Sequence, residues 1–119
     1  MTINVQQAEE AAQLWKSWAA AGRHQARALA AQGRKFDSAL KSARAATYDR
    51  AAAILHTNPD LNQATRLMIK NAAESHVRTP PLIDFDRAAV RYTVARTWQR
   101  CALMLDPSLD EVQPAWSEH

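Results

Sequence analysis

The residues most able to do chemistry in this sequence are four regularly spaced cations in its first third. Lys16, Arg23, Arg27 and Arg34 are separated by seven, four and seven positions. On a continuous helix, which turns by about 100° per residue, they fall within about 40° of one another. Such a row suits a phosphate backbone or a carboxylate surface, because arginine presents a planar fork of hydrogen-bond donors. An ordinary solvated helix face explains the same pattern.

The basic charge of the chain is concentrated around that row. Residues 16–50 carry eight basic side chains and only two acidic ones, although the formal net charge of the whole chain is only +3. A local basic surface can select an anionic partner even when the total charge is modest. No recognition helix, zinc finger or aromatic-plus-basic sheet motif accompanies the row. Any binding of nucleic acid is therefore expected to be nonspecific and sensitive to salt.

Side chains that catalysis or metal binding would need form no recognisable pattern. With two glycines in the chain, a glycine-rich phosphate loop cannot be built. His24, His56 and His76 lie in three separated segments, so exposed or capping histidines are a better interpretation than a shared metal. Asp84 and Asp86 could form an acid pair, but helix capping explains both. We expect no catalytic residue, no metal, no cofactor and no small-molecule substrate.

The single cysteine is predicted to be a core residue. Cys101 lies between Trp98 and Leu105 at helical spacing, where a cysteine is usually a small inert hydrophobe. One cysteine cannot form an internal disulfide, so no oxidising compartment is implied.

The first residues lack the pattern of a signal peptide, and no segment approaches the roughly 20 apolar residues of a membrane span. We expect a soluble, cytoplasmic protein without membrane contact.

Helices are the elements that must position these residues. Alanine is common and β-branched residues are scattered, so intrinsic propensity favours helix nearly throughout. At 119 residues the chain has the size of one domain. We predict an all-α fold, a compact and mostly antiparallel bundle of four helices with a short C-terminal fifth helix. The predicted elements are helices at about 5–31, 35–56, 59–77 and 84–105, a short helix at 107–113 and a loose tail at 114–119.

Glycine and proline mark the ends and contacts of these helices. Gly33 follows the last periodic residue of the first helix and predicts a C-terminal cap, although one long bent helix is the alternative. Gly22 lies on the apolar stripe that contains Trp15 and Trp18, where a missing side chain lets another helix cross closely. Pro59 suits the first turn of the third helix. Pro80 and Pro81 follow that helix and are predicted to end it.

The aromatic content indicates a contact surface. The helix at 84–105 is apolar on two sides, so we expect other helices or a partner to cover both. Four tryptophans in so small a chain suit a packed core, but tryptophan and arginine are also enriched at interface hot spots. The leading hypothesis is a non-enzymatic protein-interaction module, such as an accessory, inhibitor or adaptor protein of a bacterium, phage or other mobile element. It would bind a protein partner, and also self-associate, through Trp116, Trp98 and Tyr92. The alternative is a nonspecific nucleic-acid-binding protein that uses the basic row.

Overall fold

Four helices make up the described part of the chain. A computed structural model describes residues 5–58, 60–77 and 85–108, and these contain no β-strand. The helices are α1 (Val5–Ala31), α2 (Lys35–Thr57), α3 (Leu61–Val77) and α4 (Phe85–Leu105). They form a compact globule with a Cα radius of gyration of 14.8 Å, which confirms the all-α bundle. Of the predicted fifth helix only residues 107 and 108 are described, and its remainder and the tail at 114–119 lie outside the described residues.

The turn between α1 and α2 is built around Gly33. This residue has a φ of 78°, which is in the left-handed region that glycine adopts without strain. Its amide donates to the Ala30 carbonyl at 3.0 Å, and the Arg34 amide donates to the Leu29 carbonyl at 2.9 Å. Together these bonds form a Schellman motif. The predicted cap is confirmed, and α1 and α2 are two helices rather than one long bent helix.

α1 and α2 pack against each other as an antiparallel hairpin. Gly22 faces Ala45 so closely that a Cβ built on the glycine would lie 3.2 Å from the alanine Cβ. Nearer the turn, the Ser38 hydroxyl donates to the Ala26 carbonyl at 2.7 Å. The predicted close crossing at Gly22 is therefore confirmed, and small residues on both helices allow it.

The start of α3 differs from the predicted start at about Pro59. α3 begins at Leu61, and the Asp60 carboxylate accepts the Asn62 and Gln63 amides at 3.0 and 3.3 Å. A carboxylate is a strong N-terminal cap because it satisfies free amides and suits the positive end of the helix dipole. At α4, Asp86 lies inside the first turn rather than before it, and the other predicted cap, Asp84, lies outside the described residues.

The two helical hairpins join along α2 and α4. α1 packs mainly on α2 and α3 mainly on α4, while α2 and α4 contact each other. α4 is therefore covered mainly by α3 and α2. The Trp15 indole N–H donates to the Met104 sulfur at 3.3 Å, which ties α1 to the end of α4. Trp15 is fully buried and, with Trp98, is one of the two largest core side chains.

The apolar sides of α4 meet in one wide buried arc. Ala95, Trp98, Cys101, Ala102 and Leu105 are all buried, and at 100° per residue they span about 120° of the helix. Tyr92, in contrast, is 51% exposed. Its Cα lies about 60° beyond the edge of the arc at Ala95, on a side of α4 that the other described helices leave largely uncovered.

α3 has a narrow buried stripe on its inner side. Ala64, Met68 and Ala72 are buried, whereas Leu67 is 37% exposed. Because Leu67 and Met68 are about 100° apart on the helix, the inner stripe cannot hold both at its centre.

Among the described residues, none of the four helices has the length and apolarity needed to cross a membrane.

The close contact of α1 and α2 leads to a test of packing. Replacing Gly22 with leucine should lower the free energy of unfolding by about 1–3 kcal/mol, because the new side chain must displace α2 at Ala45. The matched control is Ala20→Leu, an exposed position on the same helix, which should stay within about 0.5 kcal/mol of the parent. Urea unfolding followed by circular dichroism measures both. Equal stability of the two variants would contradict the close crossing.

Candidate anion-binding groove

The predicted basic row is interrupted in the folded chain. Lys16, Arg23 and Arg27 are exposed on α1. Arg34 lies beyond the end of α1, at the N-cap position of α2. The continuous helix that would align all four is therefore absent. Arg34 contacts the Asp37 carboxylate at 2.7 Å, and Arg23 is paired with the carboxylate of Asp49. Two acids thus lie beside the row and reduce its positive potential.

The predicted aromatic contact residues that the structure describes differ in how far they are exposed to solvent. Trp98 is only 1% exposed, so its indole is a core side chain and is not available to a partner, contrary to the prediction. The Arg50 guanidinium lies over its ring, 5.3 Å from the centroid. Tyr92 is exposed and remains available for contact. Trp116 lies outside the described residues.

A groove of about 570 Å³ lies between α2 and α4 and brings together arginines that the basic row did not include. We call it the arginine groove. α2 contributes an arginine and a tyrosine one turn apart, and α4 contributes a longer series of polar and apolar side chains. The residues that line it are Arg44, Tyr48, Tyr92, Thr93, Arg96, Thr97, Gln99, Arg100, Leu103 and Met104.

The charge of the arginine groove is uncompensated within the described part of the chain. Arg44, Arg96 and Arg100 are exposed, and no described carboxylate lines the groove. None of the three forms a salt bridge with a described residue; the ion pairs of the structure lie elsewhere. Three cations around one concave surface repel each other and raise its potential, which is lowered when an anion binds there.

Aromatic side chains hold one of these arginines in place. The Arg100 guanidinium lies 5.1 Å from the ring centroid of Trp18. The Trp18 ring meets the Tyr48 ring edge-on, with centroids 5.2 Å apart and an interplanar angle of 65°. A cation over an aromatic face is attracted by the ring quadrupole, and edge-on rings are a favoured aromatic arrangement. α1, α2 and α4 therefore meet at this contact, and the position of Arg100 depends on all three.

Burial further disfavours ionisation of the Tyr48 hydroxyl, which is protonated at neutral pH even at its ordinary pKa. Loss of solvent around the ring raises the pKa of Tyr48 above its ordinary value, although the positive charges of Arg100 and Arg44 lower it in part. At neutral pH the phenol is therefore a hydrogen-bond donor beside two guanidinium groups.

A second groove, of about 260 Å³, lies next to the arginine groove. Arg44, Tyr48 and Arg100 line both grooves, and Lys41 from α2 lines only the second.

Within the described residues, the side chains considered for catalysis or metal binding do not come together. Cys101 is fully buried, and the loss of solvent raises the pKa of its thiol to about 12. A protonated, buried thiol is a poor nucleophile, which agrees with the predicted core position. His24 and His56 are exposed on different helices. In the described segments, no group of three or more histidine, cysteine or carboxylate residues could hold a metal ion.

Most of the arginine groove lies outside the residues that the sequence indicates as a site. Arg44 belongs to the basic segment 16–50, but Arg96 and Arg100 belong neither to that segment nor to the basic row. A usable signal was present, because Tyr92, Arg96 and Arg100 recur every four residues and so share one face of α4. The same spacing relates Arg44 to Tyr48 on α2. What the spacing could not supply was the knowledge that these two faces meet.

Comparison with protein-family models, with curated proteins and with solved structures finds no match to this chain.

The buried thiol predicts low reactivity in the folded state. Cys101 is the only cysteine of the chain, so a thiol-reactive disulfide reagent reports on it alone. At mildly alkaline pH the folded protein should react far more slowly than the urea-unfolded protein, because the thiol is both covered and protonated. Absorbance of the released chromophore follows the reaction. Labelling of the folded protein at the unfolded rate would contradict the core position.

The same pKa shift predicts a loss of stability at high pH. The folded thiol keeps its proton up to about 12, whereas the ordinary pKa of the group is 9.0. Between these values the unfolded state binds fewer protons than the folded state, so the free energy of unfolding falls as pH rises. Cys101→Ala removes this contribution, and its stability should decline less steeply than that of the parent over this range. Parallel declines in urea unfolding would contradict the shift.

Proposed function

We propose that this chain is a small non-enzymatic protein-interaction module that binds an acidic segment of a partner protein in the arginine groove. The observation that carries this proposal is the uncompensated charge of the groove. Arg44, Arg96 and Arg100 are exposed around one concavity and have no carboxylate beside them within the described residues. Arginine and tyrosine are residues on which protein interfaces commonly depend for their affinity.

The apolar side chains of the groove favour a protein segment as its occupant. Tyr92 and Met104 are 51% and 38% exposed, and Leu103 lines the same surface. Covering them releases water from apolar surface, while carboxylates of the partner meet the arginines. An amphipathic acidic segment satisfies both requirements. A uniformly charged chain would leave the apolar side chains without suitable contacts.

The basic row on α1 gives less support to binding of nucleic acid. A phosphate backbone needs cations along an extended track, but Arg23 lies beside Asp49 and Arg34 beside Asp37. Lys16 and Arg27 form no ion pair with a described residue, and these two cations of α1 are eleven residues apart. In the groove, by contrast, three arginines without an ion pair to a described residue line one concave surface.

A non-enzymatic role is part of the proposal. Within the described residues, the lining of the arginine groove includes no histidine, carboxylate or cysteine that could act as a general base or as an activated nucleophile. Its threonines therefore lack the neighbouring base that nucleophilic catalysis requires. The groove is suited to holding an anion rather than to transforming it.

Matched charge reversals test the proposed surface. Arg44→Glu with Arg96→Glu should abolish binding of a fluorescein-labelled peptide in which glutamate alternates with leucine, because two attractive charges become repulsive. Arg23→Glu with Arg27→Glu changes the net charge by the same amount on α1 and serves as the control. Fluorescence anisotropy at several salt concentrations gives the affinities, and circular dichroism verifies that both variants fold.

The outcomes of this experiment separate the two hypotheses. The parent and the α1 variant should bind the peptide, and both should prefer it to a peptide in which serine replaces leucine. Equal loss in both variants would mean that only net charge matters. Tighter binding of random duplex DNA or single-stranded RNA, lost only in the α1 variant, would transfer the function to nucleic acid.

A further inference from the structure

The two grooves beside α2 share one set of side chains. Arg44, Tyr48 and Arg100 line both the arginine groove and the smaller groove next to it. Arg100 is held over Trp18 at 5.1 Å, and Trp18 contacts Tyr48 edge-on. The three shared residues thus form a junction whose position is determined by packing among α1, α2 and α4.

The junction presents many hydrogen-bond donors and almost no acceptors. Each guanidinium has five N–H donors in a planar fork, and the neutral phenol adds an O–H. Both arginines are exposed and have no carboxylate partner within the described residues. A ligand that matches this arrangement carries more than one negative charge and several acceptor oxygens. A phosphate monoester, with a charge of about −1.5 to −2 and three terminal oxygens, fits better than one carboxylate.

We propose that Arg44, Tyr48 and Arg100 bind the phosphate group of a phosphorylated side chain in the partner protein. This inference rests on the proposed function, because it names the feature that the same groove recognises. The residues of the partner on either side of the phosphorylated one contact Tyr92 and Leu103, which line the groove before and after Arg96 and Arg100 along α4. A nucleic acid would present further phosphates to these apolar side chains, so a phosphorylated protein segment is the better occupant.

Three labelled peptide libraries test this inference. Each has the same degenerate flanking positions, and the central residue is phosphoserine, phosphotyrosine or glutamate. We expect the parent to bind one of the phosphorylated libraries at least about tenfold more tightly than the glutamate library, because charge-assisted bonds to phosphate are added. Arg44→Gln and Arg100→Gln should remove this preference. Tyr48→Phe should reduce it, because one donor is lost.

Arg50→Gln is the matched control. Arg50 also lies over a tryptophan, 5.3 Å from the Trp98 centroid, but it does not line the arginine groove. Its replacement removes the same charge and the same type of contact as Arg100→Gln, so both variants should lose similar stability. Only the replacement of Arg100 should remove the preference for the phosphorylated library. A preference that survives Arg44→Gln and Arg100→Gln, or that disappears equally in Arg50→Gln, overturns the assignment.

A second measurement reports on the junction without a peptide. Phenyl phosphate titrated into the isotopically labelled parent should shift the Trp18 indole NMR signal, because Trp18 lies under Arg100. The shift should be greatly reduced in Arg100→Gln. No saturable shift in the parent, together with no preference for phosphorylated peptides, overturns the inference.

The pH dependence gives a further criterion. A phosphate monoester gains its second charge near about pH 6, so binding should strengthen from about pH 5 to pH 7. Besides Arg44, Tyr48 and Arg100 themselves, the titratable or charged side chains facing the junction are Lys41 from α2 and Tyr92, Arg96 and Cys101 from α4. The side of α1 that faces it contributes the uncharged Trp18, Gly22 and Gln25. No histidine is among these described residues, so the ligand itself determines the change. Affinity for the phosphorylated libraries that stays constant over this range would contradict dianion recognition.

Failure of this inference and failure of the proposed function give different results. If phosphorylated and glutamate libraries bind the groove equally, phosphate recognition is refuted while binding of an acidic protein segment keeps its support. If none of the libraries binds the parent, both proposals fail. Random-sequence single-stranded RNA that binds more tightly than every peptide library, and loses affinity in Arg100→Gln, would assign the junction to nucleic-acid phosphates and overturn the inference.

Discussion

The contact among Trp18, Tyr48 and Arg100 joins three helices, and it links the first two helices of the chain to the last of the four described ones. Trp18 comes from α1, Tyr48 from α2 and Arg100 from α4, and the two ring contacts are 5.1 and 5.2 Å between centres. An arginine over an aromatic ring keeps its charge exposed while its planar face is covered. The contact therefore stabilises the packing and presents a cation at a defined place. The arginine groove depends on both effects.

Close helix packing is the condition for that contact. Alanine and glycine at the α1–α2 crossing let the backbones approach, as the 3.2 Å separation between Ala45 and a Cβ built on Gly22 indicates. Small residues supply little apolar area for burial, so the stability of the core depends heavily on a few large side chains. Trp15 and Trp98 are the largest of those that are fully buried. A bundle built this way can leave other aromatic and basic residues at its surface for recognition.

Two arginine–tryptophan contacts illustrate how burial separates structural from functional roles. Arg50 lies over Trp98 and Arg100 lies over Trp18, at nearly equal distances of 5.3 and 5.1 Å. Trp98 is buried in the core, so the first pair covers the α2–α4 contact. The second pair adjoins both grooves, where further cations lie within reach of one ligand. Residue types alone do not distinguish these cases, since the difference lies in which charges surround each pair.

Local chemistry in the sequence determined the helices, their principal boundaries and much of the core. Gly33 determines the α1–α2 turn because only glycine adopts its φ of 78° without strain, and helical periodicity was sufficient to place Cys101 in the core. The candidate site depended on tertiary structure. The predicted row lost Arg34 because the chain turns before it, and Trp98 proved to be buried. Arg44 and Arg100 are 56 positions apart in the sequence, so only the packing of α2 against α4 brings their charges together.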